Sequence, residues 1–177
     1  MKLKDYIICI NDILDKDLCK NIIDSSEDLT FNKAGTTGRV FKNYRNCYRR
    51  QLDKKFDSEI YKAVEKILLK YSKIHPWLLH TASTMEDTGY SYLLYIGSEK
   101  GEYKEHVDHV DLHPRVLSCS FILNDNYEGG NFSFFKGEHV IEKKSGSAVV
   151  FPSNFCFPHA ITPVTNGDRH AIITWIH

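Results

Sequence analysis

Two histidines and an aspartate in the C-terminal half of the chain have the residue types and the spacing for metal chemistry. His106 and Asp108 form a His-x-Asp step, and His159 follows well downstream. Because side chains alternate along a strand, residues two apart point to the same side and can bind one ion without distortion. If His159 comes from a strand facing the same pocket, two imidazoles and one carboxylate occupy one face of an octahedral ion. Such a triad leaves three positions open and suits non-haem Fe(II) and oxygen chemistry.

Arg169 adds a second recognition element. It follows His159 by ten residues and precedes the apolar run that ends at Ile176. A guanidinium is costly to bury without an anion, and its planar fork can bind one carboxylate of a ligand while a metal takes the other end. Arg169 and the triad together therefore predict a pocket for 2-oxoglutarate. The alternative is an edge-strand arginine paired with Asp168 or a nearby glutamate.

A second His-x-Asp step leaves the ligand pair ambiguous from spacing alone. His109 and Asp111 directly follow the first step. A closed zinc site is less consistent with the pattern, since it usually has four protein ligands with sulfur among them. The five cysteines are widely and irregularly spaced and include no CxxC pair, which favours reduced thiols.

Composition limits the class of protein. The 177 residues, 42% of them hydrophobic, suit one compact domain over residues 1–177. Lys plus Arg and Asp plus Glu both number 23, so net charge predicts neither a nucleic-acid partner nor an anionic membrane. The N-terminal apolar run is too short for a signal-peptide core or a membrane span. We expect a cytoplasmic protein.

The hydrophobic pattern of the elements that must position these residues changes near residue 85, from a helical period to short strand-like runs. Asp15 is placed to cap a helix that contains Ile22, and an apolar stripe from Ile60 to Tyr71 predicts a second helix that Pro76 should end. We expect residues 1–85 to supply supporting helices that cover one face of a sheet.

Residues 86–177 show short β-branched and aromatic runs separated by turn signals. The predicted strands are 90–96, 116–123, 131–135, 139–142, 147–151, 159–164 and 169–176. Many short strands at this spacing predict a mainly β (α+β) fold, a jelly roll with N-terminal supporting helices.

Residues 35–50 have two interpretations. Glycines open the segment, and basic residues then alternate with aromatic ones. The segment is either a solvated hairpin of mixed charge or a mobile flap that touches a substrate.

The C-terminal half resembles the prolyl 4-hydroxylase-like branch of the Fe(II)/2-oxoglutarate dioxygenases. The resemblance rests on YKEHVD at 103–108, Arg115, LND at 123–125, EGGNF at 128–132, GSAVVF at 146–151, His159, PV at 163–164, GDR at 167–169 and Trp175. It runs from about residue 90 to residue 177 in the family's order. The N-terminal half is similar only through its helices and a loop that can close over the substrate in relatives.

The resemblance implies a double-stranded β-helix and a set of site residues. Iron is held by His106, Asp108 and His159, and Arg169 takes the distal carboxylate of 2-oxoglutarate. Tyr103 stands three residues before His106 as in the family's pattern, which selects the first His-x-Asp step. The other residues implied near the cosubstrate are Tyr95 and Trp175, and those implied at the pocket rim or behind the ligands are His109 and Asp111.

The resemblance also implies the activity. It is hydroxylation of an unactivated C–H bond, with 2-oxoglutarate and O₂ converted to succinate and CO₂. The cofactors are Fe(II), 2-oxoglutarate and O₂, with ascorbate as a further candidate. The preferred substrate is a proline in a peptide or protein, as for procollagen-proline 4-dioxygenase. Asn131 stands where relatives often carry an acidic residue, which affects the substrate contacts and not the metal.

Two alternatives stay open at this point. The first is hydroxylation of another amino-acid side chain, a free amino acid or a small metabolite. The second is a catalytically silent β-sandwich binding module, because a fold does not guarantee a function.

Overall fold

The computed structural model describes residues 2–27, 29–35, 43–78, 85–110 and 114–177. The helices are α1 (Lys16–Asp24) and α2 (Asp57–Ile74). The strands are β1 (Ile8–Ile10), β2 (Asn32–Lys33), β3 (Arg45–Asn46), β4 (Tyr48–Gln51), β5 (Ser91–Ile96), β6 (Glu102–His106), β7 (Leu117–Ile122), β8 (Glu128–Gly129), β9 (Phe132–Phe134), β10 (His139–Ile141), β11 (Ala148–Pro152), β12 (His159–Ile161), β13 (Val164–Asn166) and β14 (Asp168–Ile176). No helix in the described part of the chain is both long and apolar enough to cross a membrane.

Two antiparallel sheets form the body of the molecule. The larger sheet has the strand order β1-β11-β7-β14-β5-β4-β2, and the smaller has the order β10-β9-β12-β6-β3. Strands β13 and β8 form a separate ladder. This is the double-stranded β-helix, or jelly roll, that the sequence predicts.

The larger sheet is covered on both faces, so nearly every side chain of its interior strands β7 and β11 is buried. On β14, Ile172 belongs to the core beneath the helices, whereas its neighbour Ile173 belongs to the core between the two sheets. Helix α2 places Ile60, Val64 and Ile67 in the first of these cores. Each such side chain stabilises the fold by about 1.5–3 kcal/mol when it leaves water. The helices thereby support the sheet from which the site is built.

Both predicted helices are confirmed, and each of the seven predicted strand regions contains a strand. The run predicted at 159–164 is divided into β12 and β13. The strands that sequence analysis does not predict are β1, β2, β3, β4, β6 and β8. Several of them are short and polar and carry no alternating pattern; they become strands because a neighbouring edge satisfies their backbone groups.

Part of the segment predicted as a hairpin or flap belongs to the sheets. Strand β3 pairs with β6, and β4 pairs with β5 in the larger sheet. Residues 36–42 of the same segment lie outside the described residues. The interpretation of the segment as a flap therefore stays a prediction.

Candidate functional site

The two histidines and the aspartate of the predicted triad converge at one end of the smaller sheet. His106 ends β6 and His159 begins β12, and the two are direct partners in the antiparallel ladder. Asp108 lies two residues beyond β6, and each of its oxygens faces one histidine. Nε2 of His106 is 3.8 Å from Oδ1, and Nε2 of His159 is 3.6 Å from Oδ2. The three ligand atoms lie within 4.8 Å of one another, so one metal ion can bind all three.

The orientation of each imidazole is set by its other nitrogen. Nδ1 of His106 lies 2.8 Å from the carbonyl oxygen of Lys104, and Nδ1 of His159 lies 3.0 Å from that of Phe157. A carbonyl can only accept, so Nδ1 carries a proton, and in the neutral ring the lone pair is then on Nε2, where it can bind an ion. Burial, with His159 adding to it, lowers the pKa of His106 to about 3. The ring is therefore neutral, as a metal ligand must be.

Asp108 is held by a buried serine. Ser118 Oγ donates to Oδ2 of Asp108 at 2.7 Å and also contacts Ser153 Oγ at 2.8 Å. Burial alone would raise the pKa of Asp108, but His159 and His106 outweigh it and lower the pKa. Sequence reasoning missed Ser118 and Ser153. The signal was a serine inside an apolar strand, where an unpaired hydroxyl would be costly.

Tyr103 stacks on His106, with ring centroids 3.4 Å apart and an angle of 17° between the planes. Residues three apart in a regular strand point to opposite faces. Here the ladder with β12 shifts register, because His159 pairs with His106 while Ile161 pairs with Tyr103. This β-bulge brings the tyrosine to the face of the histidine.

Arg169 lies in β14 and is 2% exposed. It is the cross-strand partner of Tyr95, and its guanidinium carbon lies 5.0 Å from the centre of that ring. Its Nε is buried and has no hydrogen-bond partner among the described residues. Asp168 instead accepts from the backbone N–H of Gly97, so the pairing of Arg169 with Asp168 is not observed. A buried cation with an unsatisfied N–H fits an anionic ligand.

All seven residues predicted for the site line one cavity of about 340 Å³, a size typical of small-molecule sites. They are Tyr95, Tyr103, His106, Asp108, His159, Arg169 and Trp175. Trp175 faces Asp108, and a hydrogen bond from its side chain contributes to the lowered pKa of that carboxyl group. His109 also lines the cavity, whereas its partner in the second His-x-Asp step, Asp111, lies outside the described residues.

Comparisons with known proteins agree with this geometry. A family profile described as the 2OG-Fe(II) oxygenase superfamily matches residues 90–177. A PKHD-type hydroxylase of Hyphomonas neptunium is 30% identical over 96% of this chain and 77% of its own length. The chain belongs to the 2OG-Fe(II) oxygenase superfamily. A PKHD-type hydroxylase of Synechococcus sp. (strain JA-3-3Ab) is 26% identical over the same shares of the two chains.

Solved structures of prolyl hydroxylases share the fold of this oxygenase. The viral collagen prolyl hydroxylase of Paramecium bursaria Chlorella virus-1 aligns with a TM-score of 0.73 and 17% identity, over 97% of this chain and 95% of the other. A prolyl-4-hydroxylase of Pseudomonas putida aligns with a TM-score of 0.71 and 23% identity, over 96% and 91%. This chain therefore has the fold of these prolyl hydroxylases.

Membership in the superfamily implies Fe(II), 2-oxoglutarate and O₂ as cofactor and cosubstrates. The donor set fits Fe(II), since two neutral imidazoles and one carboxylate form a facial triad. The unsatisfied Nε of Arg169 in the same cavity fits a carboxylate of 2-oxoglutarate. Three further arginines line the cavity, Arg45, Arg49 and Arg115. The first two belong to the segment interpreted as a hairpin or a substrate-contacting flap, and Arg115 belongs to the residues that carry the resemblance; none was assigned a role at the metal or the cosubstrate.

Proposed function

We propose that this oxygenase hydroxylates an unactivated C–H bond of a proline within a peptide or protein. The observation that carries the proposal is the convergence of His106, Asp108 and His159 beside the buried, unsatisfied Arg169 in one cavity. Sequence relatives that are PKHD-type hydroxylases support a hydroxylation reaction. The solved prolyl hydroxylase structures share only the fold with this chain. They are the reason for proposing proline as the residue that is hydroxylated.

His106, Asp108 and His159 would hold the metal. The carbonyls of Lys104 and Phe157 keep both imidazoles in the tautomer that presents Nε2. Ser118 keeps the carboxylate from rotating, and the low pKa of Asp108 keeps it ionised at neutral pH. These contacts orient the ligands before the ion arrives, so little ordering remains to be done on binding.

Arg169 would bind the distal carboxylate of 2-oxoglutarate. Tyr95 lies opposite it on β5, and burial raises the pKa of Tyr95, so the phenol stays protonated. The protonated phenol of Tyr95 can donate a hydrogen bond to the same carboxylate. Trp175 and Tyr103 would form walls that position the cosubstrate and limit the access of water.

Fe(II) with 2-oxoglutarate supplies the oxidising power: O₂ is consumed, 2-oxoglutarate becomes succinate and CO₂, and one oxygen atom is inserted into the substrate. The protein side chains do not enter this exchange of atoms. They hold the reactants together and exclude water, because an oxidant formed without substrate would damage the protein.

The test is a mass-spectrometric assay with Fe(II), 2-oxoglutarate and ascorbate. Proline-containing peptides are compared with peptides that offer lysine or asparagine, with free amino acids and with small metabolites. A gain of one oxygen atom on proline supports the proposal, whereas a gain only on another substrate replaces it with that alternative. A folded protein that turns over nothing, and shows no visible absorption band when Fe(II) is added anaerobically with 2-oxoglutarate, would indicate a silent binding module.

Two further expectations accompany the proposal. The chain acts as one domain over residues 1–177, with residues 1–85 as support and residues 86–177 as the catalytic core. It acts in the cytoplasm on a peptide or protein, and neither nucleic acid nor a membrane is its partner.

A further inference from the structure

The cavity carries more positive charge than the metal site and cosubstrate require. Besides Arg169, three arginines line it: Arg45, Arg49 and Arg115. Among the described residues that line the cavity, Asp108 is the only acidic one. Within the described part of the chain, none of the three arginines forms an ion pair with a carboxylate side chain.

Neutral groups hold these arginines in place. Arg49 donates from Nε and Nη2 to Ser91 Oγ at 3.0 and 2.7 Å. Arg115 stacks on Trp175, with its guanidinium carbon 3.6 Å from the ring centre, and donates from Nη1 to the carbonyl oxygen of Asp108 at 3.0 Å. These contacts fix the direction of both guanidinium groups and leave N–H donors free.

The third arginine is held in the same way, and its charge acts on Arg49. Arg45 donates from Nη1 to the carbonyl of Gly35 at 3.0 Å and lies over the Tyr103 ring at 4.4 Å. Burial lowers the pKa of Arg49, and the charge of Arg45 adds to this effect. Burial also lowers the pKa of Arg115; Asp108 opposes it, and the charge of Arg49 adds to it. All three stay protonated, because an arginine does not lose its proton in proteins.

The bound cofactors do not neutralise this cluster. Fe(II) and doubly ionised 2-oxoglutarate carry equal and opposite charges, and Asp108 balances Arg169. Three like charges around one partly desolvated cavity are unfavourable unless an anion joins them. Because the metal site and cosubstrate are already balanced, an anionic group on the substrate would supply the missing negative charge.

We propose that the substrate carries a carboxylate next to the residue that is hydroxylated, and that Arg49 and Arg115 bind this carboxylate where the cavity opens. The inference rests on the proposed function and narrows its substrate to an acidic peptide or amino acid. Exposed Val107 and Val110 also line the cavity and offer an apolar surface for the carbon skeleton beside the carboxylate. A guanidinium fork matches a carboxylate with two parallel hydrogen bonds.

The first experiment compares matched peptides on the wild-type oxygenase. One peptide has glutamates flanking its proline and the second has glutamines. A third has glutamines and places the proline beside a free C-terminal carboxylate, and free proline is the fourth compound. We expect kcat/KM about tenfold higher for the glutamate peptide than for the glutamine peptide, as for one charge-assisted hydrogen bond. The third and fourth compounds show whether a side chain or a chain terminus supplies the carboxylate.

The second experiment uses arginine variants with a matched control. Arg49→Gln removes a charge from the cavity, whereas Arg50→Gln removes one from the adjacent residue, which contacts Phe31 and the carbonyl of Gln51 instead. We expect Arg49→Gln to lower kcat/KM for the acidic substrate about tenfold and to leave the KM for 2-oxoglutarate unchanged. Arg49→Lys and Arg115→Lys retain the charge and should lose less. Arg50→Gln should stay within about twofold of the wild type.

Binding under anaerobic conditions separates this inference from the proposed function. Without O₂ no turnover occurs, and calorimetry measures the affinity of each compound for the protein loaded with Fe(II) and 2-oxoglutarate. Tighter binding of the carboxylate-bearing compounds, lost in Arg49→Gln, supports the inference even when proline is not hydroxylated. Equal binding of the acidic and neutral compounds overturns it, and so does an equal effect of Arg49→Gln and Arg50→Gln, while prolyl hydroxylation can still stand.

Discussion

Ser118 and Asp108 form a buried hydrogen bond of 2.7 Å between Oγ and Oδ2. Ser118 lies on the central strand β7, whose neighbours β11 and β14 hold it on both sides. Asp108 lies just beyond the end of β6, among residues 107–110, which have no regular structure. The hydrogen bond therefore ties Asp108, a proposed metal ligand, to a strand of the larger sheet that is paired on both sides.

Replacing Ser118 tests this connection. In Ser118→Ala the carboxylate loses its fixed partner, and the affinity for Fe(II) should fall about tenfold or more, as is typical when a group that orients a metal ligand is removed. Calorimetric titration with Fe(II) under nitrogen measures the change. Ser133→Ala is the control, because Ser133 is also a buried serine of a strand but does not contact the triad. Equal affinities of the two variants would contradict the role of Ser118.

Replacing Arg169 should separate stability from function. In the protein without cosubstrate, Arg169 is a buried cation with an unsatisfied Nε. Arg169→Met removes this desolvated charge, and we expect the free energy of unfolding to rise by about 1 kcal/mol or more. Binding of 2-oxoglutarate should be lost, with Fe(II) binding retained. Urea denaturation and calorimetry measure both, with Arg50→Met as the control. A strongly destabilised Arg169→Met variant would show that the guanidinium is structural.

The stability of the metal-free protein should fall in acid because of His170. Tyr92 Oη lies 2.6 Å from Nδ1 of His170, and burial lowers the pKa of His170. The unfolded chain therefore takes up a proton near its ordinary pKa of about 6.5, while the folded chain does not. The contribution of neutral His170 is complete above about pH 6.5 and is lost as the pH falls, by up to about 1.4 kcal/mol per pH unit.

Urea denaturation at several pH values between 7.5 and 5 measures this loss. His170→Gln cannot titrate and should show a weaker pH dependence than the wild type. The difference between the two proteins isolates His170 from the histidines of the metal site. Identical slopes in the two proteins would rule out a contribution from His170.

Removal of the metal should lower the thermal stability of the folded protein. A ligand that binds only the folded state at one hundred times its Kd stabilises it by about 2.7 kcal/mol. Adding Mn(II) as an inert probe should therefore raise Tm, and a chelator should reverse the shift. Asp108→Asn should abolish the shift, whereas Glu65→Gln, on an exposed position of α2, should preserve it. A shift of the same size in both variants would place the Mn(II) elsewhere.

The elements with strong local patterns could be predicted from the sequence. The apolar stripe from Ile60 to Tyr71 predicts α2, and the apolar runs after residue 90 predict the central strands of the jelly roll. Strands such as Arg45–Asn46 and Asn32–Lys33 could not be predicted. Their residues have no strand pattern of their own, and pairing with the edge of an existing sheet makes them extended.

The residues of the site also divide into those that the sequence predicts and those that only the fold shows. The residue types predict a triad with Arg169, because an arginine beside an apolar strand needs an anion. The choice of His106 and Asp108 over the second His-x-Asp step required the family resemblance. The role of Ser118 was missed, because a serine inside an apolar strand indicates only that its hydroxyl needs a partner. Which partner it has is shown only by the fold.

Residue types and spacing by themselves determined the kind of chemistry and the strand pattern that brings it together. Only the tertiary structure decided how the charges are distributed. The chain is neutral overall, yet Arg45 and Arg49 from the N-terminal part meet Arg115 and Arg169 around one cavity. Net charge is a sum over the whole chain, whereas the field in a cavity depends on the few charges that folding places around it and removes from water.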